Sequence, residues 1–274
     1  MLEKIDYRSG QAAVVFSQSL GDTGFAVLHH HPIPLDLIAQ VYEEWKGFFA
    51  SEIKHRYLFD PEQQVGYFPF QLERAKDSQA ADLKEFFHLY QGYVLPDGIS
   101  DRSWQLFEAL IDLGSELLGW INQNLPDDLK HLNLPEMIRD SDQHLLRILH
   151  YPPIGNAVSD SIRAAAHEDI NLITLLPGAT GAGLEILDRN HTWQAIASNP
   201  QDLVVNVGDM LQLATNFQFK STTHRVVNPR DPEGLANSRY SLPMFLHCRK
   251  DVQLSPIHTA SSYLQERLKQ IGLK

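Results

Sequence analysis

Apolar residues follow two different rhythms along the chain, and the change comes near its middle. Ile38, Val41, Trp45, Phe48 and Phe49 recur at helical spacing, with Glu43, Glu44 and Lys46 between them, which predicts a helix from Leu35 to Phe49. Phe107, Leu110, Ile111, Leu117, Leu118 and Ile121 form a second stripe, predicting a helix from Trp104 to Asn122 with Pro126 after its end. Beyond residue 140 the pattern shortens. Apolar runs at Leu145–Leu149, Ile170–Leu176, Leu184–Leu187, Leu203–Val207, Met210–Leu213, Thr223–Val227 and Tyr240–Leu246 alternate with turn signals such as Pro152-Pro153, Pro177-Gly178 and Gly208-Asp209. Short strands at such intervals predict a sandwich or barrel. The expected fold is mainly β with flanking helices around a double-stranded β-helix, or jelly-roll, core.

This pattern divides one domain over 1–274 into three segments. A helix-rich region over 1–140 has too few strand signals for a second β domain and is expected to pack on the outside of the core. The jelly-roll core is expected over 141–256. A C-terminal helix lies within 257–274, its amphipathic stripe running from Ser261 to Ile271.

Composition narrows the chemistry. The chain has 274 residues, a formal net charge of -11 and 43% apolar residues, enough for a substantial core. An acidic surface repels phosphate backbones, so nucleic acid is not an expected partner. No stretch reaches the roughly 20 apolar residues that span a bilayer, so no membrane is expected either. The first residues lack the basic region of a secretory signal. The single cysteine, Cys248, excludes an intrachain disulfide, reads as a buried hydrophobe and favours a cytoplasmic, reducing setting.

The candidate chemistry centres on His167, Asp169 and His224. Residues at i and i+2 of a strand share a face, so His167 and Asp169 can stand side by side and His224 can close a three-ligand face from another strand. Two histidines and a carboxylate with open positions opposite suit a non-haem Fe(II) that also binds O2, and they would serve catalytic zinc as well. Arg239 and Ser241 repeat the two-residue spacing; a planar guanidinium with a hydroxyl beside it suits a carboxylate. Other polar features read as structural. Glu168 would face away from the metal. His29, His30 and His31 precede a Pro-x-Pro turn and read as a surface turn. Arg163, just ahead of His167, could meet an acidic substrate but reads first as a surface charge, and Lys220 reads as structural. The glycine-rich stretch from Gly178 to Gly183 opens no helix and reads as a hairpin loop.

The ordered series of motifs resembles the isopenicillin N synthase-like branch of the 2-oxoglutarate- and Fe(II)-dependent oxygenases. It runs through Gly24-Phe25-Ala26-Val27-Leu28, Asp82-Leu83-Lys84-Glu85-Phe86-Phe87-His88, Leu146-Arg147-Ile148-Leu149-His150-Tyr151-Pro152-Pro153, His167-Glu168-Asp169, Asn206-Val207-Gly208-Asp209, His224-Arg225-Val226-Val227 and Arg239-Tyr240-Ser241, over residues 20 to 256. The resemblance implies an enzyme in which His167, Asp169 and His224 bind Fe(II), and in which Arg239, Ser241 and Tyr151 hold 2-oxoglutarate. Leu149 stands where the family usually has an asparagine. The implied reaction consumes O2, releases succinate and CO2, and hydroxylates, desaturates or cyclises a small-molecule substrate. Three alternatives stay open on the residues alone: a same-fold Fe(II) oxidase that uses no 2-oxoglutarate, a non-enzymatic small-molecule-binding jelly roll, and a zinc hydrolase.

Overall fold

The computed structural model describes residues 2–73, 81–155, 161–197 and 199–270. The N-terminal part contains β1 (Lys4–Asp6), α1 (Ala12–Thr23), β2 (Phe25–His29), α2 (Leu35–Ala50), β3 (Gly66–Phe68), β4 (Glu85–Tyr90), α3 (Arg102–Gln123) and α4 (Leu134–Ile138). There follow β5 (Leu145–Tyr151), β6 (Ala164–His167), β7 (Ile173–Pro177), β8 (Leu184–Leu187), β9 (Trp193–Ala195), β10 (Asp202–Val207) and α5 (Asp209–Ala214). The chain continues through β11 (His224–Val226), α6 (Pro232–Ala236), β12 (Arg239–Ser241), β13 (Met244–Leu246), β14 (Gln253–Ser255), β15 (His258–Thr259) and α7 (Ala260–Gln270).

Two sheets face each other as a jelly roll. The larger runs β1-β2-β10-β7-β13-β5-β4-β3, with β12 also paired to β5; the smaller runs β6-β11-β8-β9. Strands β2, β5, β7 and β10 of the larger sheet are buried on both faces, which explains their near-continuous apolar runs. Alternate residues separate the two faces. Ala26, Leu28, Leu146, Ile148, Leu203 and Val205 belong to the main core with the helices. Their neighbours Phe25, Val27 and Val204, and Leu149 and Tyr151, belong to two smaller clusters between the sheets.

The helices supply the outer layer. Ile38, Val41, Trp45, Phe48 and Phe49 of α2 are buried, as are Leu106, Phe107, Leu110, Leu117, Leu118 and Ile121 of α3. The indole of Trp45 donates to Ser103 Oγ at 2.9 Å and ties the two helices together. Gly114 lets α3 lie against β13, since a Cβ there would meet Leu246 Cδ1 at 2.0 Å.

Several expectations change. The first 140 residues are not confined to the outside: β2 pairs with β10, and β4 pairs with β5 over six residues. Their pairing partners lie more than 50 residues away, which local periodicity does not register. The helix α1 has no counterpart in the sequence reading, because its buried positions are only Ala12, Phe16, Ser17 and Leu20. Met210–Leu213 lies in a helix, α5, and not in a strand; a four-residue apolar run does not separate the two by period. The run from Ile170 enters its strand only at Ile173, and Tyr240–Leu246 splits at Leu242-Pro243 into β12 and β13. The C-terminal helix is α7, preceded by β15; the 271–274 end of that segment, with Ile271, lies outside the described residues.

Candidate metal and cosubstrate site

The antiparallel pairing of β6 and β11 sets His167 opposite His224, with ring centroids 4.4 Å apart. Asp169 reaches them from the turn between β6 and β7, since β6 ends at His167. The shared strand face expected for His167 and Asp169 is therefore not what joins them; the turn is.

Hydrogen bonds fix which atoms remain free. Nδ1 of His167 lies 2.8 Å from the Ala165 carbonyl, and Nδ1 of His224 lies 3.1 Å from the Thr222 carbonyl. Each Nδ1 can bond a carbonyl only as a donor, which leaves each Nε2 as a lone pair. Asp169 Oδ2 accepts from Thr174 Oγ1 at 2.6 Å and from Asn206 Nδ2 at 2.8 Å. Its Oδ1 faces the two imidazoles, 3.9 Å from His167 Nε2 and 3.8 Å from His224 Nε2. Those separations are shorter than two metal–ligand bonds of about 2.1 Å each, and all three donor atoms lie within 4.8 Å of one another, a cluster of the size that holds one ion.

Electrostatics agree with this donor set. Burial lowers the His167 pKa to about 4, helped by the His224 ring, so the imidazole is neutral at pH 7. Burial alone would raise the Asp169 carboxyl, but the His224 and His167 rings and the Thr174 and Asn206 bonds outweigh it and hold it below its ordinary value. A neutral imidazole such as His167 and an ionised carboxylate are the forms that bind a divalent cation. Gly208 allows the β10–α5 turn to cross the metal loop, because a Cβ there would lie 2.1 Å from the Asn171 carbonyl oxygen.

A second set of groups lines the same cavity. Arg239 is paired with Tyr151 and Ser241 with Leu149 across β12 and β5, and Tyr151, Arg239 and Ser241 share the cavity with the three donors. Arg239 Nε donates to the Gly181 carbonyl at 2.9 Å, and its guanidinium carbon lies 5.1 Å from the centre of the Tyr151 ring. Arg239 Nη1 is buried with no hydrogen-bond partner among the described residues. Arg163 is not a surface charge: it is 3% exposed, its guanidinium carbon 6.0 Å from the Tyr151 ring, and its Nη2 donates to the carbonyls of Gly234 and Asn237. Burial and the Arg239 charge lower its pKa to about 10. Neither guanidinium forms an ion pair with a carboxylate among the described residues. Two buried cations without an anion, each with a donor unsatisfied among the described residues (Nε of Arg163 and Nη1 of Arg239), fit a ligand carboxylate.

Sequence reasoning missed Thr174, Asn206, and the Lys84 and Arg147 that also line the cavity, and it ranked Arg163 first as a surface charge. The available signal was a polar residue at an alternate position of an apolar strand: Thr174 within Ile-Thr-Leu-Leu, Asn206 within Val-Val-Asn-Val, Arg147 within Leu-Leu-Arg-Ile-Leu. The remaining candidates fall elsewhere. Glu168 accepts from Thr223 Oγ1 and stitches the two ligand strands. His29 and His30 gather with Asp6, but the Arg8 guanidinium stands 2.7 Å from His30 Nδ1 and against Asp6, so a cation already occupies that turn. Cys248 is buried, and burial pushes its thiol to about 12.

Comparison with known proteins gives a consistent picture. Residues 142–248 match the family model of the 2OG-Fe(II) oxygenase superfamily, and residues 6–104 match that of the non-haem dioxygenase in morphine synthesis N-terminal region. The chain is 30% identical to proline hydroxylase buaE of Petromyces alliaceus, covering 90% of this chain and 83% of that protein. It is 35% identical to a 2-oxoglutarate-dependent dioxygenase of Didymella fabae, covering 92% and 84%. A solved Shewanella oneidensis protein superposes with a TM-score of 0.90 at 44% identity, over 100% of this chain and 99% of that one. A full-length Neurospora crassa protein solved in complex with alpha-KG shares the fold, with a TM-score of 0.83 at 22% identity over 98% and 95%.

Proposed function

The chain belongs to the 2OG-Fe(II) oxygenase superfamily, and on that premise we propose that His167, Asp169 and His224 hold the iron while Arg239, Ser241 and Tyr151 hold 2-oxoglutarate. The protein is a 2-oxoglutarate-dependent dioxygenase, an oxidoreductase whose cofactors are Fe(II), 2-oxoglutarate and O2. One observation carries the residue assignment: three free donor atoms, all within 4.8 Å of one another, sit in the same cavity as an unsatisfied buried guanidinium.

Each residue has a separable task. The two backbone carbonyls at Ala165 and Thr222 keep Nε2 of both imidazoles available. Thr174 and Asn206 turn Oδ1 of Asp169 toward them. Gly181 orients Arg239 so that its remaining N–H groups meet the distal carboxylate, with Ser241 beside it. Phe25, Leu176, Leu184 and Val226 line the cavity and keep water from the reacting centre. The chemistry supplied there is oxidative decarboxylation of 2-oxoglutarate to succinate and CO2, coupled to oxidation of a substrate C–H bond by O2.

The same reading makes 1–274 one catalytic domain and places it in the isopenicillin N synthase-like branch, supported by the motif series and the N-terminal match. Its substrate is a small molecule, as in the Neurospora crassa protein solved with thymine and in JOX2 solved with JA. A cytoplasmic setting accords with a single, buried cysteine; no described helix is long and apolar enough to cross a membrane.

Anaerobic addition of Fe(II) and then 2-oxoglutarate tests the assignment through the visible charge-transfer band of the complex. His167→Ala, Asp169→Ala and His224→Ala should each abolish metal binding and the band. Arg239→Ala should keep the metal and weaken 2-oxoglutarate by about tenfold or more. A band of full intensity in any of the three ligand variants removes that residue from the metal site.

A further inference from the structure

The cavity has a second charged end that metal and cosubstrate leave unused. Lys84 and Arg147 line it together with the His–Asp–His cluster. Arg147 stands on β5, on the same face as Tyr151 four residues later, with Leu149 between them. Four residues of strand rise roughly 13 Å, so Arg147 lies well away from the end where Arg239 pairs with Tyr151.

Its surroundings hold the guanidinium still without satisfying it. The guanidinium carbon lies 4.7 Å from the centre of the Phe86 ring and 5.4 Å from that of Phe245. Arg147 Nε donates to His88 Nε2 at 2.8 Å, and His88 Nδ1 donates to the Gln64 carbonyl at 2.8 Å, which fixes the tautomer. Arg147 Nη1 has an ion pair with Glu73 at 3.6 Å, too long for a hydrogen bond. Glu73 is engaged instead by Lys84, at 2.6 Å. Lys84 also bonds Asp82 at 2.8 Å, and the other oxygen of Asp82 takes the Ala165 N–H at 3.0 Å. Thus two of the three ammonium donors are committed, and the Nη edge of Arg147 makes no hydrogen bond to a described residue. The Arg147 side chain keeps 20% of its exposure, so that edge is open to the cavity and can meet a ligand.

We propose that this end of the cavity binds a carboxylate on the substrate, through the Nη edge of Arg147 and the third N–H of Lys84. The substrate is then a small carboxylic acid whose apolar part meets Leu149, Leu176 and Phe245, which line the same cavity. A planar fork of paired donors matches a carboxylate better than a neutral carbonyl, and it sets which substrate carbon faces the metal. The proposal rests on the oxygenase reading of the same site.

Calorimetry on protein loaded with Mn(II) and 2-oxoglutarate under argon tests it. The probes are acids and their primary amides on matched skeletons: L-proline and L-prolinamide, phenylacetate and phenylacetamide, hexanoate and hexanamide, with phenyl phosphate as a different anion. At least one acid should bind about tenfold or more tighter than its amide. Arg147→Met should reduce that acid to the level of its amide and Arg147→Lys should restore part of the preference, both with 2-oxoglutarate affinity within about threefold of the parent protein. Equal binding of acids and amides, no binding by any acid, preference for phenyl phosphate, or an acid preference that survives Arg147→Met would each overturn it. The preceding titration with 2-oxoglutarate alone separates the two claims: its failure in the parent protein overturns the oxygenase site and this pole together, whereas its success with equal acid and amide binding overturns only the pole.

Discussion

At the residue scale, two hydrogen bonds on Asp169 set which of its oxygens faces the two imidazoles. Thr174 and Asn206 are direct register partners across β7 and β10, and both reach the same carboxylate oxygen. Thr174→Val keeps the size and removes the donor. We expect metal affinity to fall about 10- to 100-fold, the usual effect of losing an outer-shell partner, with little change in melting temperature. Competition titration with Mn(II) reads the affinity, and an unchanged constant would show that Asn206 alone orients the ligand. This pair also marks the limit of the sequence. His167, Asp169, His224, Arg239 and Ser241 are legible because their side-chain chemistry and spacing are distinctive. Thr174 and Asn206 are not, because their role depends on which strand lies beside which, and a single chain does not print its register. Arg163 eludes the sequence for the same reason: an arginine ahead of a ligand strand looks solvated until α6 and the loop after it close over it.

At the scale of elements, the C-terminal helix is fastened to the loop that carries Asp169. Arg267 Nη2 on α7 lies 3.1 Å from Asp209 Oδ2, and the backbone N–H of Asp209 donates to the Asp169 carbonyl at 2.7 Å. Arg267→Met removes the cation and leaves Asp209 buried without it. The Arg267 side chain keeps 24% of its exposure, so the loss is discounted to about 1–2 kcal/mol, a fall of roughly 2–6 °C in melting temperature. Adding Asp209→Asn should recover part of it, because the unpaired charge goes too, and a strictly additive double variant would show that the pair is not coupled. The elements also show what periodicity carries. Strands buried on both faces, such as β5, β7 and β10, announce themselves as apolar runs bounded by turns. Of the N-terminal strands, β2 shows as a short apolar run ending at Val27 and Leu28, whereas β3 and β4 give too little signal to be placed, since they pair with each other and β4 with β5 far along the chain. The helix α5 reads as a strand because four apolar residues fit either period, and its start is set by contacts of Asp209 and Met210 with the metal loop.

At the scale of the whole molecule, the fold stores several histidines as neutral groups, and this sets its response to acid. Burial lowers the pKa of His144 to about 4, and burial with the neighbouring His144 ring lowers His247 to about 4. His88 is driven well below its ordinary value by burial and by Arg147. In the unfolded chain each would titrate near the ordinary value of 6.5. Below that pH the unfolded state binds more protons than the folded one, so stability is complete above 6.5 and is lost as the pH falls toward 4. The carboxylates with depressed pKa values, Asp169 and Glu85 among them, add to the loss only below their ordinary values of 3.8 and 4.5. Acid sensitivity between pH 6.5 and 5 is therefore a histidine property. For a group shifted as far as His144, the loss is on the order of 2 kcal/mol by pH 5. Urea unfolding of chelator-treated protein at half-unit steps of pH should show the midpoint falling steadily across that window, and His144→Gln should make the fall shallower. A midpoint that holds level from pH 7 to 5 would mean that these rings take up protons in the folded state as readily as in the unfolded one.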